Sequence, residues 1–522
     1  MYNKVISHNG INNGGKTSMS YRPKNENVQI GDTWHVSDGE NVQVYFLQYQ
    51  QTGKPMAGKE HGAIGRAESK DLIQWKTLPS AIYSGEKGSY DDLPIWTGCT
   101  VKKDGKYYLF YTSRSTSKPQ ASISVAISKD GVNYEKYSGN PVIIPDERYY
   151  VGENTQLHLA HHGNPHLENP CYDMRDLCVV KDEEKECYWG FFACRRRSDD
   201  VVETSVVGLA KSYDLLNWEQ LPPCFIPNRY HCIETPDVFY MDGKWYMLCL
   251  AGNVYGQRRY GKEKLQYGRI TVYGVSDRVE GPYVEIEQNL LIATIGGGAA
   301  CAKTVEHKGK RYMFYTEVSQ DNVSFYMSLP KEIKSENARL CACYYREIEN
   351  YVTEEIKLDY SKSLKNNGEF GTVGKWEERE FCIVGESKND WSVFPFNVEA
   401  ENFIYESEIE NVSAEEIGLV FALGENIFQG ARVVLLDYVT NTIVQAKMRL
   451  FTTDEEREWN LKNRFSLKIV VCGKTAEVYV NDVFVMHCAS DYKLGKIGLF
   501  VEKGLAKFRN TKIKILRQVE ND

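Results

Sequence analysis

From the first residues to about residue 320 the chain alternates short aromatic and β-branched runs with polar turns. Almost no stretch there carries the 3.6-residue apolar spacing of a helix. The runs recur. A turn followed by an aromatic strand appears at Asp38-Gly39 before Val44-Tyr45-Phe46-Leu47, and at Asp104-Gly105 before Tyr107-Tyr108-Leu109-Phe110-Tyr111. A degenerate copy is Asp182-Glu183-Glu184-Lys185 before Tyr188-Trp189. Asp242-Gly243 before Trp245-Tyr246-Met247-Leu248 and Lys308-Gly309 before Tyr312-Met313-Phe314-Tyr315 complete the series. A second signature follows the first turns, as Ala67-Glu68-Ser69-Lys70-Asp71, Ala126-Ile127-Ser128-Lys129-Asp130 and Ala210-Lys211-Ser212-Tyr213-Asp214, with a looser copy at Gly274-Val275-Ser276-Asp277. Units of roughly 60–80 residues leave room for four strands each. Five such units predict an all-β protein whose first part, residues 1–330, is a five-bladed β-propeller.

Past that point the pattern changes. Residues 331–370 are mixed and charged and read as a connector. From 371 to 522 alternating strands return without the earlier signatures, as in Ile417-Gly418-Leu419-Val420-Phe421 and Ile497-Gly498-Leu499-Phe500-Val501. Short strands with turn signals over such a length predict a C-terminal β-sandwich.

Composition narrows the partners. A net charge of -8 over 522 residues offers no basic excess for phosphates, so no nucleic acid is expected. The 35 Tyr and 9 Trp suit β-structure and are also the usual platforms for sugar rings. No run approaches the apolar length of a membrane helix, and Met1-Tyr2-Asn3-Lys4-Val5-Ile6-Ser7 has no apolar leader core, so a cytoplasmic protein with no membrane contact is expected. The 14 cysteines are scattered without a C-x-x-C pair, which argues for reduced thiols and against structural zinc. His161, His162 and His166 are read as a hydrogen-bonding loop cluster, and no metal or cofactor is expected.

The chemistry lies in the acids. The strand before each turn would line a propeller's central channel. Reading back from the turns, Asp32 and Asp176 each stand six residues before the turn position, and Glu234 stands eight before it, in Ile233-Glu234-Thr235-Pro236-Asp237. The second unit has Trp96-Thr97-Gly98 in that place and the fifth Ala299-Ala300-Cys301. Any one acid has an ordinary reading as a strand-end cap or ion-pair partner. Three in one repeat register do not stabilise a fold, because like charges repel and raise a pKa. They suit glycosidic cleavage, where one carboxylate attacks or stabilises and another protonates the leaving oxygen.

On these residues the chain resembles glycoside hydrolase family 32, the invertase, inulinase and levanase group. Ile30-Gly31-Asp32 is similar to the family's nucleophile strand, Met174-Arg175-Asp176 to its R-D-P motif, and Glu234-Thr235-Pro236-Asp237 to its E-C-P-D motif. Trp96-Thr97-Gly98-Cys99 stands where the family has an F-S-G-S-type box, and Met327-Ser328-Leu329-Pro330-Lys331-Glu332-Ile333 resembles the L-P-R-E-L segment that closes its propeller. The resemblance is to a divergent member. The W-M-N-D-P-N-G box is missing, Leu177 replaces the proline of R-D-P, and Thr235 replaces the cysteine of E-C-P-D.

The resemblance implies a five-bladed propeller followed by a β-sandwich, and a retaining β-fructofuranosidase acting on sucrose or fructo-oligosaccharides, with fructosyl transfer as a further outcome. It implies Asp32 as nucleophile, Glu234 as general acid/base and Asp176 as transition-state stabiliser. Arg175 is expected to bind the same ring, with Trp34, Gln48, Trp96 and Thr97 in the pocket wall. The partner is then a small oligosaccharide, and the sandwich is the candidate surface for a homo-oligomeric contact. The alternatives are an inverting arabinofuranosidase or xylosidase of the family 43 kind, and a non-catalytic sugar-binding propeller.

Overall fold

The computed structural model describes residues 19–23, 28–50, 62–153, 174–196, 205–227, 230, 232–252, 269–294, 299–318, 325–358, 374–423, 431–448, 452–473, 475–489, 495–519 and 521. His161, His162 and His166 lie outside them.

Four antiparallel four-stranded sheets follow one another along the chain. The first is β1 (Val28–Ser37), β2 (Val42–Gln50), β3 (Ala63–Ser69) and β4 (Lys76–Tyr83). The second is β5 (Trp96–Lys103), β6 (Lys106–Ser115), β7 (Lys118–Ser128) and β8 (Glu135–Lys136). The third is β9 (Met174–Asp182), β10 (Cys187–Arg195), β11 (Ser205–Ser212) and β12 (Glu219–Phe225). The fourth is β13 (Ile233–Met241), β14 (Lys244–Gly252), β15 (Arg269–Ser276) and β16 (Val284–Thr294). The arrangement is all-β and propeller-like.

The sequence predicts five separate blades, and four stand as separate sheets. The next strands, β17 (Ala299–His307), β18 (Lys310–Val318), β19 (Phe325–Met327), β20 (Lys331–Glu336) and β21 (Arg339–Tyr344), run on into a 17-stranded sheet that includes the C-terminal half. The reason is a shared edge. Cys343 of β21 pairs with Val483, and the Tyr344 N–H donates to the Asp482 carbonyl. An edge that would face water is thereby paired instead.

The repeated sequence signatures have repeated physical causes. At Asp104-Gly105, Asp242-Gly243 and Lys308-Gly309 both turn residues have positive φ, the geometry of the tight hairpin turn that matches strand twist. In the second signature a serine hydroxyl and an aspartate carboxylate cap the turn together. Ser69 Oγ accepts from the Leu72 N–H at 2.8 Å, and Asp71 Oδ1 accepts from the Gln74 N–H at 2.9 Å. Ser212 and Asp214 repeat this at 2.8 Å each on Leu215 and Asn217, while Asp130 does so on Asn133.

The first strand of each unit carries a β-bulge at the same place. Pairing slips between Ile30 and Thr33, Trp96 and Gly98, Glu234 and Asp237, and Ala300 and Lys303, and opposite Phe191 and Ala193 in the third sheet. These five strands contact one another in a closed cycle, β1 to β5, β9, β13, β17 and back to β1. Gly98 is required by this crowding, since a Cβ there would stand 2.0 Å from the Phe110 carbonyl oxygen.

The C-terminal half is all-β. Its long strands Cys382–Ala400 and Gly495–Leu516 pair antiparallel, and the second also pairs with Phe403–Asn411 and Glu416–Leu423. Phe394, Phe403, Leu419, Leu467, Val478 and Leu499 belong to one buried core there. Among the described residues no helix is long and apolar enough to cross a membrane.

Candidate active site

A bulge re-aims the side chains around it, and the five bulges set the composition of the site. They place Asp32, Thr97, Asp176, Glu234 and Cys301 at or beside the extra residue of β1, β5, β9, β13 and β17. Asp176, Thr235 and Cys301 have φ of 61°, 50° and 54°. For a β-branched threonine that is a costly conformation, of the kind held at functional sites by surrounding structure. Here the holder is the neighbouring acid, since the Thr235 N–H donates to Asp176 Oδ2 at 3.0 Å.

Asp32 is half-buried and accepts a very short hydrogen bond from the Thr97 hydroxyl. Burial raises its pKa. Hydrogen bonds from Cys301 and Thr97 oppose the rise, the Glu234 charge adds to it, and the Lys303 ammonium opposes it. Asp176 is buried, and its carboxyl is pushed up to about 7, by burial first and then by the charges of Asp32 and Glu234 against the pull of Arg175 and the Thr235 N–H. Its backbone N–H donates to Thr112 Oγ1 at 3.0 Å, and Thr112 donates in turn to the Thr97 carbonyl at 2.8 Å, which ties the second and third units together.

Arg175 joins the other two acids. Its Nη2 donates to Glu234 Oε1 at 3.0 Å, and its Nε lies 3.5 Å from Asp176 Oδ2. Glu234 is the more open of this pair of carboxylates, 39% exposed at the side chain against 4% for Asp176. A half-open carboxyl can exchange a proton with a bound molecule and with water. The buried one can act only on what is bound.

Asp237, three residues after Glu234, has a different task. Its Oδ2 accepts from the Thr304 N–H at 3.0 Å and from the Thr304 hydroxyl at 2.7 Å on β17. Lys303 beside it is buried, donates to the Pro236 carbonyl at 2.6 Å, and has its pKa held up against burial chiefly by the Asp237 charge. Asp237 is a fastener between the inner strands of adjacent units.

The remaining candidates divide. Thr97 touches Asp32 directly. Trp96 is half-buried and lies under the Arg114 guanidinium, 3.7 Å from its ring centroid. Gln48 accepts from Ser80 at 3.2 Å, which engages it with β4 of its own sheet. Trp34 is buried, stacks on Tyr45 at 6.0 Å and donates from Nε1 to Thr100 at 3.1 Å, so its indole packs between the first two units.

Cys301, Tyr49 and Lys303 are site neighbours that the sequence reading did not select. Burial and the adjacent Asp32 charge keep Cys301 a thiol, able to donate to that carboxylate. The Tyr49 hydroxyl is likewise raised by burial and by Asp32, and its ring packs where a Gly31 Cβ would be. The register that located the three acids also pointed to Cys301, but only carboxylates were sought there.

As to metals, one donor set among the described residues is close enough to hold an ion: Glu317, Glu477 and His487, with ligand atoms within 4.8 Å of one another. It lies at the joint with the C-terminal half. The Lys331 ammonium already donates to Glu477 there and supplies the positive charge.

Residues 39–274 match the family model described as the glycosyl hydrolases family 32 N-terminal domain. The match covers a little under half of the chain, and Asp32 stands just ahead of the matched segment. Among curated proteins the chain is 36% identical over 212 residues to a sucrose-6-phosphate hydrolase of Zymomonas mobilis, covering 37% of this chain and 35% of that one. It is 37% identical over 110 residues to a levanase of Bacillus subtilis, covering 19% and 16%. The chain thus spans about a third or less of the length of these relatives. Among solved structures, a sucrose-6-phosphate hydrolase from Lactobacillus gasseri superposes with a TM-score of 0.69 at 12% identity, covering 97% of this chain and 93% of that one. A Bombyx mori GH32 beta-fructofuranosidase does so with a TM-score of 0.66 at 18% identity, covering 97% and 94%. At these identities the superpositions establish the fold.

Proposed function

We propose that the protein is a retaining glycoside hydrolase that cleaves β-fructofuranosyl linkages in sucrose or short fructo-oligosaccharides. The observation that carries this is the meeting of Asp32, Asp176 and Glu234 from three different units, close enough that the Glu234 charge raises the Asp32 carboxyl and the charges of Asp32 and Glu234 both raise that of Asp176. In this reading Asp32 attacks the anomeric carbon while Glu234 protonates the leaving oxygen. Glu234 then removes a proton from the water that releases fructose. Asp176 accepts hydrogen bonds from ring hydroxyls as positive charge develops, and Arg175 holds both of the latter acids in place. Trp96 and Thr97 border the bound sugar. The relatives named above are by name sucrose-phosphate- and fructan-cleaving enzymes, which supports a fructofuranoside over an arabinofuranoside.

The reading includes the finer architecture. The fifth blade is β17, β18, β20 and β21, since β18 pairs with β17 and β20, and β20 with β21. The propeller then runs on to Tyr344, past the boundary at 330 expected from the sequence, and the sandwich occupies 371–522.

Proton NMR during incubation with 1-kestose tests the proposal. Fructose is expected to appear first as the β-furanose, the retained anomer. Inversion, or cleavage of an arabinofuranoside with kestose left intact, would overturn it.

Thr97 gives a second test. Thr97→Val removes a donor to the Asp32 carboxylate, a charge-assisted bond worth about 1.5–3 kcal/mol. The Asp32 pKa should rise further, and the acid side of the kcat/KM profile, where the nucleophile is protonated, should move to higher pH. Activity at slightly acid pH should fall about 10-fold or more, with Thr97→Ser retaining most of it. An unchanged profile would remove Asp32 from the role of ionised nucleophile.

A further inference from the structure

The strand Arg339–Tyr344 carries two cysteines that the catalytic reading leaves unused. Residues two apart on a strand face the same side, and here the side chains meet. The sulfurs of Cys341 and Cys343 are 3.7 Å apart, and both residues are half-exposed. Cys341 also lines a cavity of about 1150 Å³ between β16 and the C-terminal strands, bordered by Leu290, Leu291, Trp459 and Phe484. That cavity gives a small molecule a route to the sulfur.

From this geometry we propose that Cys341 and Cys343 form a reversible dithiol–disulfide site, oxidised by low-molecular-weight disulfides. The Cys341 thiolate attacks one sulfur of the reagent disulfide, giving a mixed disulfide on Cys341 and releasing one reagent thiol. Cys343 then loses its proton and attacks the Cys341 sulfur, releasing the second reagent thiol. The protein gives up two electrons and two protons, and the reagent disulfide is reduced to two thiols.

The electrical environment favours this order. The hydrogen bond from Cys343 first, and then the Lys334 charge against burial, pull the Cys341 thiol down to about 7, while Cys343 is raised by the same bond. A thiol whose pKa lies near the ambient pH is the most effective attacker in exchange. The buried thiols of Cys178, Cys224, Cys249 and Cys472 are all pushed up instead, which keeps them inert. Cα atoms two apart on a strand are about 6.6–6.8 Å apart, at the upper end of what a disulfide spans, so the bond should be readily reduced again. The site sits where the propeller-like half joins the rest, since Cys343 pairs with Val483.

Incubating the full-length protein with glutathione disulfide at pH 7, followed by alkylation and peptide mass analysis, tests the proposal. The peptide carrying both residues should lose two hydrogens, resist alkylation, and recover both properties with dithiothreitol. Cys343→Ser should stop at a glutathione adduct on Cys341, and kestose cleavage should be the same in this variant. Accumulation of a stable glutathione adduct in the unsubstituted protein, or continued alkylation of both thiols after the incubation, would overturn it.

Discussion

Replacing Glu234 with glutamine is expected to lower kcat on kestose by on the order of 10²–10⁴-fold, the span general acid–base catalysis contributes. The amide keeps a carbonyl oxygen for Arg175 Nη2, now 3.0 Å from Glu234 Oε1, so the fold and sugar binding should persist. What is lost is the proton. A fructoside whose leaving group departs without protonation should therefore recover much of the lost rate in Glu234→Gln. Asp32→Asn should lose at least as much and recover nothing, because the covalent step itself is missing. Steady-state kinetics on both substrates, with thermal melts to confirm folding, give the comparison. A Glu234→Gln variant with more than a tenth of the original kcat on kestose would remove Glu234 from the acid role.

Much of this site was legible in the sequence because the repeat register is a backbone property. Paired turns at Asp104-Gly105 and Asp242-Gly243 fix where each inner strand ends. Counting back from them gives Asp32, Asp176 and Glu234, with Trp96-Thr97-Gly98 and Ala299-Ala300-Cys301 in the same place of the other two units. Side-chain direction was not legible. Trp34, two residues beyond Asp32, looked like pocket wall, but beyond the bulge the alternation turns its indole onto Tyr45 and Thr100. Glu234 and Asp237 part by their partners, Arg175 for the first and Thr304 of β17 for the second, and neither partner is announced by the local sequence. The shared edge was also hidden. Nothing in Arg339–Tyr344 announces that its partner lies some 140 residues on, because strand pairing at that distance has no local pattern. The L-P-R-E-L-like segment was visible as a motif, but the burial of its Lys331 against Glu477 was not.

Lys331→Met is expected to destabilise the protein by about 3–5 kcal/mol, the usual result of removing one partner of a buried ion pair. Lys331 and Glu477 are both fully buried. The ammonium also donates to the Leu329 carbonyl at 2.8 Å and to the Tyr315 hydroxyl at 3.2 Å. Without it, Glu477 would keep only the Tyr315 and Tyr479 hydroxyls for a carboxylate in an apolar joint. Adding Glu477→Gln should restore most of the loss, since the buried charge is then gone; urea unfolding of the single and double variants measures both. A loss below about 1 kcal/mol in the single variant would mean that water reaches the pair. Glu317 sets the pH dependence of the same joint. Burial, and then the Glu477 charge, push its carboxyl up to about 8 against the pull of Lys331, while burial and Lys331 push the neighbouring His487 down to about 3. Between the ordinary carboxyl pKa and about 8 the folded protein holds a proton that the unfolded chain has released. This contribution to stability is therefore full in acid and lost as pH rises through that window. Glu317→Gln, which cannot ionise, should flatten that decline and become the more stable protein above pH 8 or so. Equal slopes for the two proteins between pH 6 and 9 would show that Glu317 is ionised in the folded state at neutral pH.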